Sequence, residues 1–215
     1  MTHRIRPGSR TTVLDRIRSA LTDVPTAEQY DAGRIARTYR SSHAEGDLVD
    51  LFADVAADYR ATVTRTDDPR AAIATALLDR GVAGALLVPE GFPTAWLPEG
   101  DWTRRIDTPA LDVHELNTAS GVLTTCALAI ATTGTIVLDA GPGQGRRVLT
   151  LLPDYHLCVV RSGQIAGDVP EAVQRLVPHR PLTLISGPSA TSDIELERVE
   201  GVHGPRTLDI VIVDE

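Results

Sequence analysis

Near its C-terminal end the chain reads Gly187-Pro188-Ser189-Ala190-Thr191-Ser192-Asp193-Ile194-Glu195, directly after the apolar run Leu182–Ser186. Ser192 and Glu195 have the spacing of a capping box, in which the hydroxyl caps a helix and the carboxylate reaches back to it. Where a strand feeds a helix N-terminus, unsatisfied N–H groups favour anions. Gly187, Ser189, Thr191 and Ser192 are therefore candidate anion-binding residues. The same spacing serves equally well as a cap that holds no ligand. Glu195 is a candidate catalytic carboxylate, as base or nucleophile, or simply the partner of the cap. His203, in Gly201-Val202-His203-Gly204-Pro205, is a candidate proton carrier near neutral pH; its alternative role is to fix the turn by a hydrogen bond.

Two further stretches could bring polar groups to such a site. Thr133-Gly134-Thr135 opens a strand and could carry backbone N–H groups to a ligand, or Gly134 could only permit a bend. Gly141-Pro142-Gly143-Gln144-Gly145-Arg146-Arg147 has the glycines of a phosphate loop but lacks G-x-x-x-x-G-K and lies between two apparent strands, so it reads as a hairpin turn. Arg147 could still hold an anion through a bidentate contact. His114, Glu115, Asp154 and His156 have no recognisable metal-ligand spacing, and no metal or cofactor is assigned.

The elements that must position these residues follow from periodicity. Val13, Leu14, Ile17 and Leu21 predict a helix over 9–21. Leu48, Leu51, Phe52, Val55 and Tyr59 predict a second over 47–59, with Asp47 as N-cap. Residues 61–65 read as a strand, 69–81 as a helix that opens with Pro69 and ends at Gly81, and 84–89 as a strand. Strand, helix, strand at this spacing implies a parallel sheet. Further strands are expected at 104–109, 135–139, 156–160, 182–186 and 208–214, with a short helix at 169–177. The capping box predicts a helix from Ser192 to about Glu200. Together these give an α/β fold of three layers, with residues 1–60 as an N-terminal helical extension and 61–215 as the α/β domain.

Composition narrows the function. The 215 residues carry a net charge of −8, which argues against a generally basic nucleic-acid-binding surface. All 21 basic residues are Arg. Schiff-base chemistry and a P-loop lysine are thereby excluded. The two cysteines, Cys126 and Cys158, lie in apolar surroundings and are too few for an iron–sulfur cluster, which takes about four thiolates. No apolar run reaches the ~18–20 residues that span a bilayer, and residues 1–16 lack the apolar core of a signal peptide. A cytoplasmic protein without membrane contact is expected.

The closing stretch is similar to the C-terminal signature of the LUD-domain family, also called LutC/YkgG. Ser186, Gly187, Pro188, Ser189, Thr191, Asp193, Ile194, Glu195 and Gly201 to Pro205 match it. So do Thr133, Gly134, Thr135, Arg147, Leu152, Pro153 and His156. The chain departs from the pattern at Thr132 and Ala127, where family members often carry acidic residues. The resemblance implies a parallel or mixed sheet like that of ribose-5-phosphate isomerase, glucosamine-6-phosphate deaminase and the CoA transferases. It also implies a part in oxidising L-lactate to pyruvate beside iron–sulfur partner proteins; in this first reading the chain would bind a small anion at the loop 189–195, near His203 and Arg147. The other reading is a stand-alone enzyme of the same fold group acting on a sugar phosphate, a folate or a CoA thioester.

Overall fold

A computed structural model describes residues 8–23, 44–191, 199–200 and 204–214. Two compact units divide the chain, Met1–Tyr39 and Arg40–Glu215. In the first, α1 (Ser9–Ala20) is exposed along its whole length, including Val13, Leu14 and Ile17.

The second unit is α/β, as expected. It begins with α2 (Leu48–Asp58), capped as anticipated by Asp47, whose carboxylate accepts from the Val49 and Asp50 N–H groups at 2.8 and 3.3 Å. Although α2 falls in the stretch read as an extension, it is part of this unit's core. Phe52 and Ala56 are fully buried against Cys158, Val160, Ile210 and Ile212. Burying a side chain the size of Phe52 stabilises the fold by about 2–3 kcal/mol.

Next come β1 (Thr62–Thr66), α3 (Pro69–Asp79), β2 (Gly84–Leu87), β3 (Trp102–Arg105), α4 (Val113–Asn117), β4 (Gly121–Thr125), β5 (Leu128–Ile130) and β6 (Thr135–Leu138). They are followed by β7 (Tyr155–Arg161), β8 (Ile165–Ala166), α5 (Val169–Arg175), β9 (Thr183–Ile185), β10 (Ala190–Thr191), β11 (Val199–Glu200) and β12 (Thr207–Val213). Six strands form one sheet in the order β1-β12-β7-β4-β2-β3, with every neighbouring pair parallel. The central strands β7 and β12 are apolar on both faces, as strands buried on both sides must be. On one face Leu157, Val159 and Val211 meet Ile73 and Leu77 of α3. On the other, Cys158, Val160 and Ile210 meet α2 and a second sheet, of order β8-β5-β6-β9. The far side of that sheet packs on Ala172 of α5.

Two local expectations change. The loop 139–146 is not a hairpin: β6 belongs to the second sheet and β7 to the first, so the loop carries the chain between sheets. The helix expected to reach about Glu200 does not do so, because Val199 and Glu200 pair antiparallel with Thr191 and Ala190. No helix of the described residues is long and apolar enough to cross a membrane.

A part-buried ionic network joins the sheet to Arg80, the residue that follows α3. Asp209 of β12 accepts from Arg80 Nη2 at 2.7 Å and Arg80 Nε at 3.1 Å, and from the Tyr155 hydroxyl at 2.9 Å. Burial, and then the Asp209 charge, push the Tyr155 phenol up, so it remains a donor.

Candidate functional site

The closing loop does border a cavity. As β9 ends, the chain turns through Ser186-Gly187-Pro188-Ser189, and the Ser189 N–H donates to the Pro205 carbonyl at 2.8 Å. That bond ties the turn to the segment that enters β12. Gly187 has φ +79°, and a methyl group there would run into the backbone carbonyl of Tyr59, at the end of α2. Gly187→Ala is therefore expected to lower stability by about 1 kcal/mol or more from backbone conformation alone, with further loss from the collision. A chemical denaturation midpoint equal to that of the wild type would refute this close packing.

The opposite wall comes from Arg147–Thr150, a single 3-10 turn, and from the amino-terminal ends of β7 and β12. The cavity holds about 300 Å³, and Arg147, Thr150, His156, Ser186, Gly187 and Ser189 contribute to its lining. Arg147 is exposed, and its guanidinium has no ion-pair or hydrogen-bond partner among the described residues. Thr150 is buried, with its hydroxyl donated to the Arg147 carbonyl at 3.1 Å.

His156 is the most constrained of these groups. It is 1% exposed, and its Nε2 lies 2.7 Å from the Thr124 hydroxyl of the neighbouring strand. Nδ1 is buried without a hydrogen-bond partner among the described residues. Burial pushes the imidazole down to about 4, so it is neutral at physiological pH. A neutral imidazole with one nitrogen engaged can donate to or accept from a ligand, but it adds no charge. Arg147 therefore supplies the positive charge, and the hydroxyls and His156 supply neutral polarity.

Thr133, Gly134 and Thr135 stand behind this wall rather than on it. The Thr135 hydroxyl lies 2.7 Å from both the Thr133 and the Ser186 hydroxyls, so it fixes Ser186 from behind. Gly134 has φ +56°, and a Cβ there would come within 2.8 Å of the Ala56 N of α2. Its small size lets the helix approach. The sequence thus brings Gly187, Ser189 and Arg147 to one cavity and places the Thr-Gly-Thr motif as its support. Thr191 is described only through its backbone, in β10. Ser192, Glu195 and His203 lie outside the described residues. His156 was readable as a match to the family signature and as a titratable residue interrupting an apolar strand, a pattern shared by many core histidines, but neither gave it a role in a site. Among the described residues no cluster of His, Cys, Asp and Glu is arranged to hold a metal ion.

Comparison with known proteins bears on the same region. A family model described as the LUD domain matches residues 113–213, which include every described lining residue of the cavity. The chain is 47% identical over 176 residues to a lactate utilization protein C of Deinococcus radiodurans, covering 79% of this chain and 81% of that one. It is 30% identical over 124 residues to a lactate utilization protein C of Shouchella clausii, covering 53% and 52%. A crystal structure of a DUF162 family protein from Deinococcus radiodurans superposes with a TM-score of 0.65 at 43% identity, covering 77% of this chain and 96% of that one.

Proposed function

Because the chain belongs to the LUD-domain family, we propose that it serves lactate utilisation by binding a small monocarboxylate in the cavity beside Arg147. The observation that carries this reading is the Arg147 guanidinium, without a partner among the described residues, at a cavity whose other described lining is uncharged: hydroxyls, a neutral imidazole and apolar residues such as Leu184, Ile185 and Leu208. One guanidinium matches one carboxylate in a two-bond contact. The Ser189 hydroxyl suits the second oxygen function of a 2-hydroxy or 2-oxo acid, and the Thr150 hydroxyl, which already donates to the Arg147 carbonyl, can accept from a 2-hydroxyl. Support also comes from the relatives named lactate utilization protein C.

Oxidation of a 2-hydroxy acid to a 2-oxo acid releases two electrons and two protons, so an acceptor is required. In this reading iron–sulfur partner proteins take the electrons, and this chain positions the organic acid. Glu195 and His203 remain the proposed proton carriers, and Thr191 and Ser192 further hydroxyl contacts.

The test is calorimetric titration of the purified full chain with L-lactate and pyruvate, paired with thermal denaturation. Ligand at 100 times its Kd stabilises the fold by about 2.7 kcal/mol. Arg147→Gln is expected to weaken binding by about tenfold or more, and Ser189→Ala by less. Binding that persists unchanged in Arg147→Gln overturns the assignment. Turnover of a sugar phosphate, folate or CoA thioester by the chain alone would replace this reading with a stand-alone enzyme.

A further inference from the structure

We propose that a second, separate site, at the carboxyl end of the six-stranded sheet, binds a small organic anion carrying two or more negative charges. The cavity beside Arg147 lies at the amino-terminal ends of β7 and β12, whereas a cleft of about 470 Å³ opens where β4 and β7 end. His156 and Arg161 mark the two places on one strand. Five residues of extended chain separate them by about 16 Å. In open parallel sheets, the carboxyl ends of the strands are where ligands bind.

The cleft is lined by Arg161, Arg175 and Arg180, and Asp139 is the one carboxylate among its described lining residues. Three guanidiniums in one concavity stand out in a chain whose net charge is −8. Each has a defined orientation. The Arg161 guanidinium carbon lies 5.0 Å from the centre of the Trp96 ring. Arg175 donates to the carbonyls of Gly163 and Ile165 at 2.9 and 3.3 Å, and its Nη1 lies 3.6 Å from Glu171 Oε1. Arg180 Nη1 donates to Asp139 Oδ2 at 2.7 Å, and its other N–H groups have no partner among the described residues. Burial tends to raise Asp139, but Arg180 and the Gly141 N–H hold it below the usual carboxylate range, so it stays ionised and fixes Arg180.

Counting the cleft's own charges, three Arg and one Asp leave a surplus of two, and Glu171, beside Arg175, reduces it to one in the immediate surroundings. A monocarboxylate is satisfied by a single guanidinium. Three guanidiniums lining one cleft match a ligand whose negative charges are spread over several oxygens. The rim is already built: Gly143 N–H donates to the Glu90 carbonyl at 2.8 Å, and the Thr125 N–H to the Gly143 carbonyl at 2.9 Å. Leu128, Leu176 and Val177 supply an apolar wall for a carbon skeleton. A phosphate ester and a dicarboxylate share this chemistry.

The experiment is calorimetric titration of the full chain at low salt with glycerol 3-phosphate, succinate and acetate, with intrinsic Trp fluorescence as a second signal. One of the two dianions is expected to bind with a Kd of about 1 mM or tighter, and acetate at least about tenfold more weakly. Which dianion binds tighter distinguishes phosphate ester from dicarboxylate. Arg161→Gln and Arg175→Gln are each expected to weaken that binding by about tenfold, whereas Arg147→Gln, at the other end of β7, leaves it unchanged. Arg180→Gln is the less informative variant because it strands Asp139. Absence of saturable binding by either dianion overturns the site. So does equal binding of acetate, or binding lost in Arg147→Gln but kept in Arg161→Gln. A failure of lactate to bind at Arg147 leaves this test untouched.

Discussion

Lowering the pH from about 6.5 to about 4 is expected to cost the protein roughly 3 kcal/mol of stability through one residue, His156. Burial depresses its folded-state value from 6.5 to about 4. Above this window the imidazole is neutral in both states and contributes no pH dependence. Within it, the unfolded chain takes up a proton that the folded chain refuses, so protons favour unfolding. Below about 4 both states are protonated and the loss stops growing. The measurement is the free energy of urea unfolding across the window, for the wild type and for His156→Gln. The difference between the two curves isolates His156. Asp107 and Asp139, held low by Arg146 and Arg180, lose their contributions only as the pH falls through their lowered values, below 3.8. Equal slopes in wild type and variant would show that His156 is not buried as described. If a carboxylate occupies the neighbouring cavity, its charge favours the imidazolium, and saturating ligand will shrink the acid loss.

Arg80→Leu is expected to destabilise the fold by about 3 kcal/mol, near the lower end of what removing one partner of a buried pair costs. The asymmetry of the pair decides this. Asp209 is 6% exposed at its side chain, whereas Arg80 is 37% exposed. Removing the guanidinium leaves a buried carboxylate whose one remaining hydrogen-bond donor among the described residues is the Tyr155 hydroxyl. The cost thus lies in the stranded charge rather than in the lost attraction. Arg80→Leu combined with Asp209→Asn should accordingly be more stable than Arg80→Leu alone, since an amide can still accept from Tyr155 and carries no charge. A double variant less stable than the single one would mean that the network acts through packing. The readout is the denaturation free energy of the four members of the cycle.

The sequence made much of this fold legible, and unevenly so. Helices α2 and α3 announced themselves through helical spacing and through Asp47 and Pro69 at their starts, because caps and proline act locally. The central strands were visible because LDIVIV and HLCVV have no polar face. The split of the later strands between two sheets was not visible, because the partners of β6, including β9, are set by tertiary packing. The loop 139–146 shows the same blindness: glycines mark a turn, but not which sheet the chain enters next. In the site, Gly187, Ser189 and Arg147 were readable from residue type and motif, whereas His156 gains its meaning only from burial and from Thr124 across the strand. The cleft at the other end of the sheet was invisible in sequence. Its three arginines stand at positions 161, 175 and 180, and no spacing rule links them.

The sheet order has a consequence for how the molecule is made. Among the described residues β1, residues 62–66, pairs only with β12, residues 207–213. During synthesis the first strand of the sheet must wait, unpaired, while roughly 140 further residues are added. At about 5–20 residues per second that wait is on the order of ten seconds. A ribosome stalled before residue 207 holds a nascent chain in which β1 still lacks β12, and β12, set between β1 and β7, joins the two when it emerges.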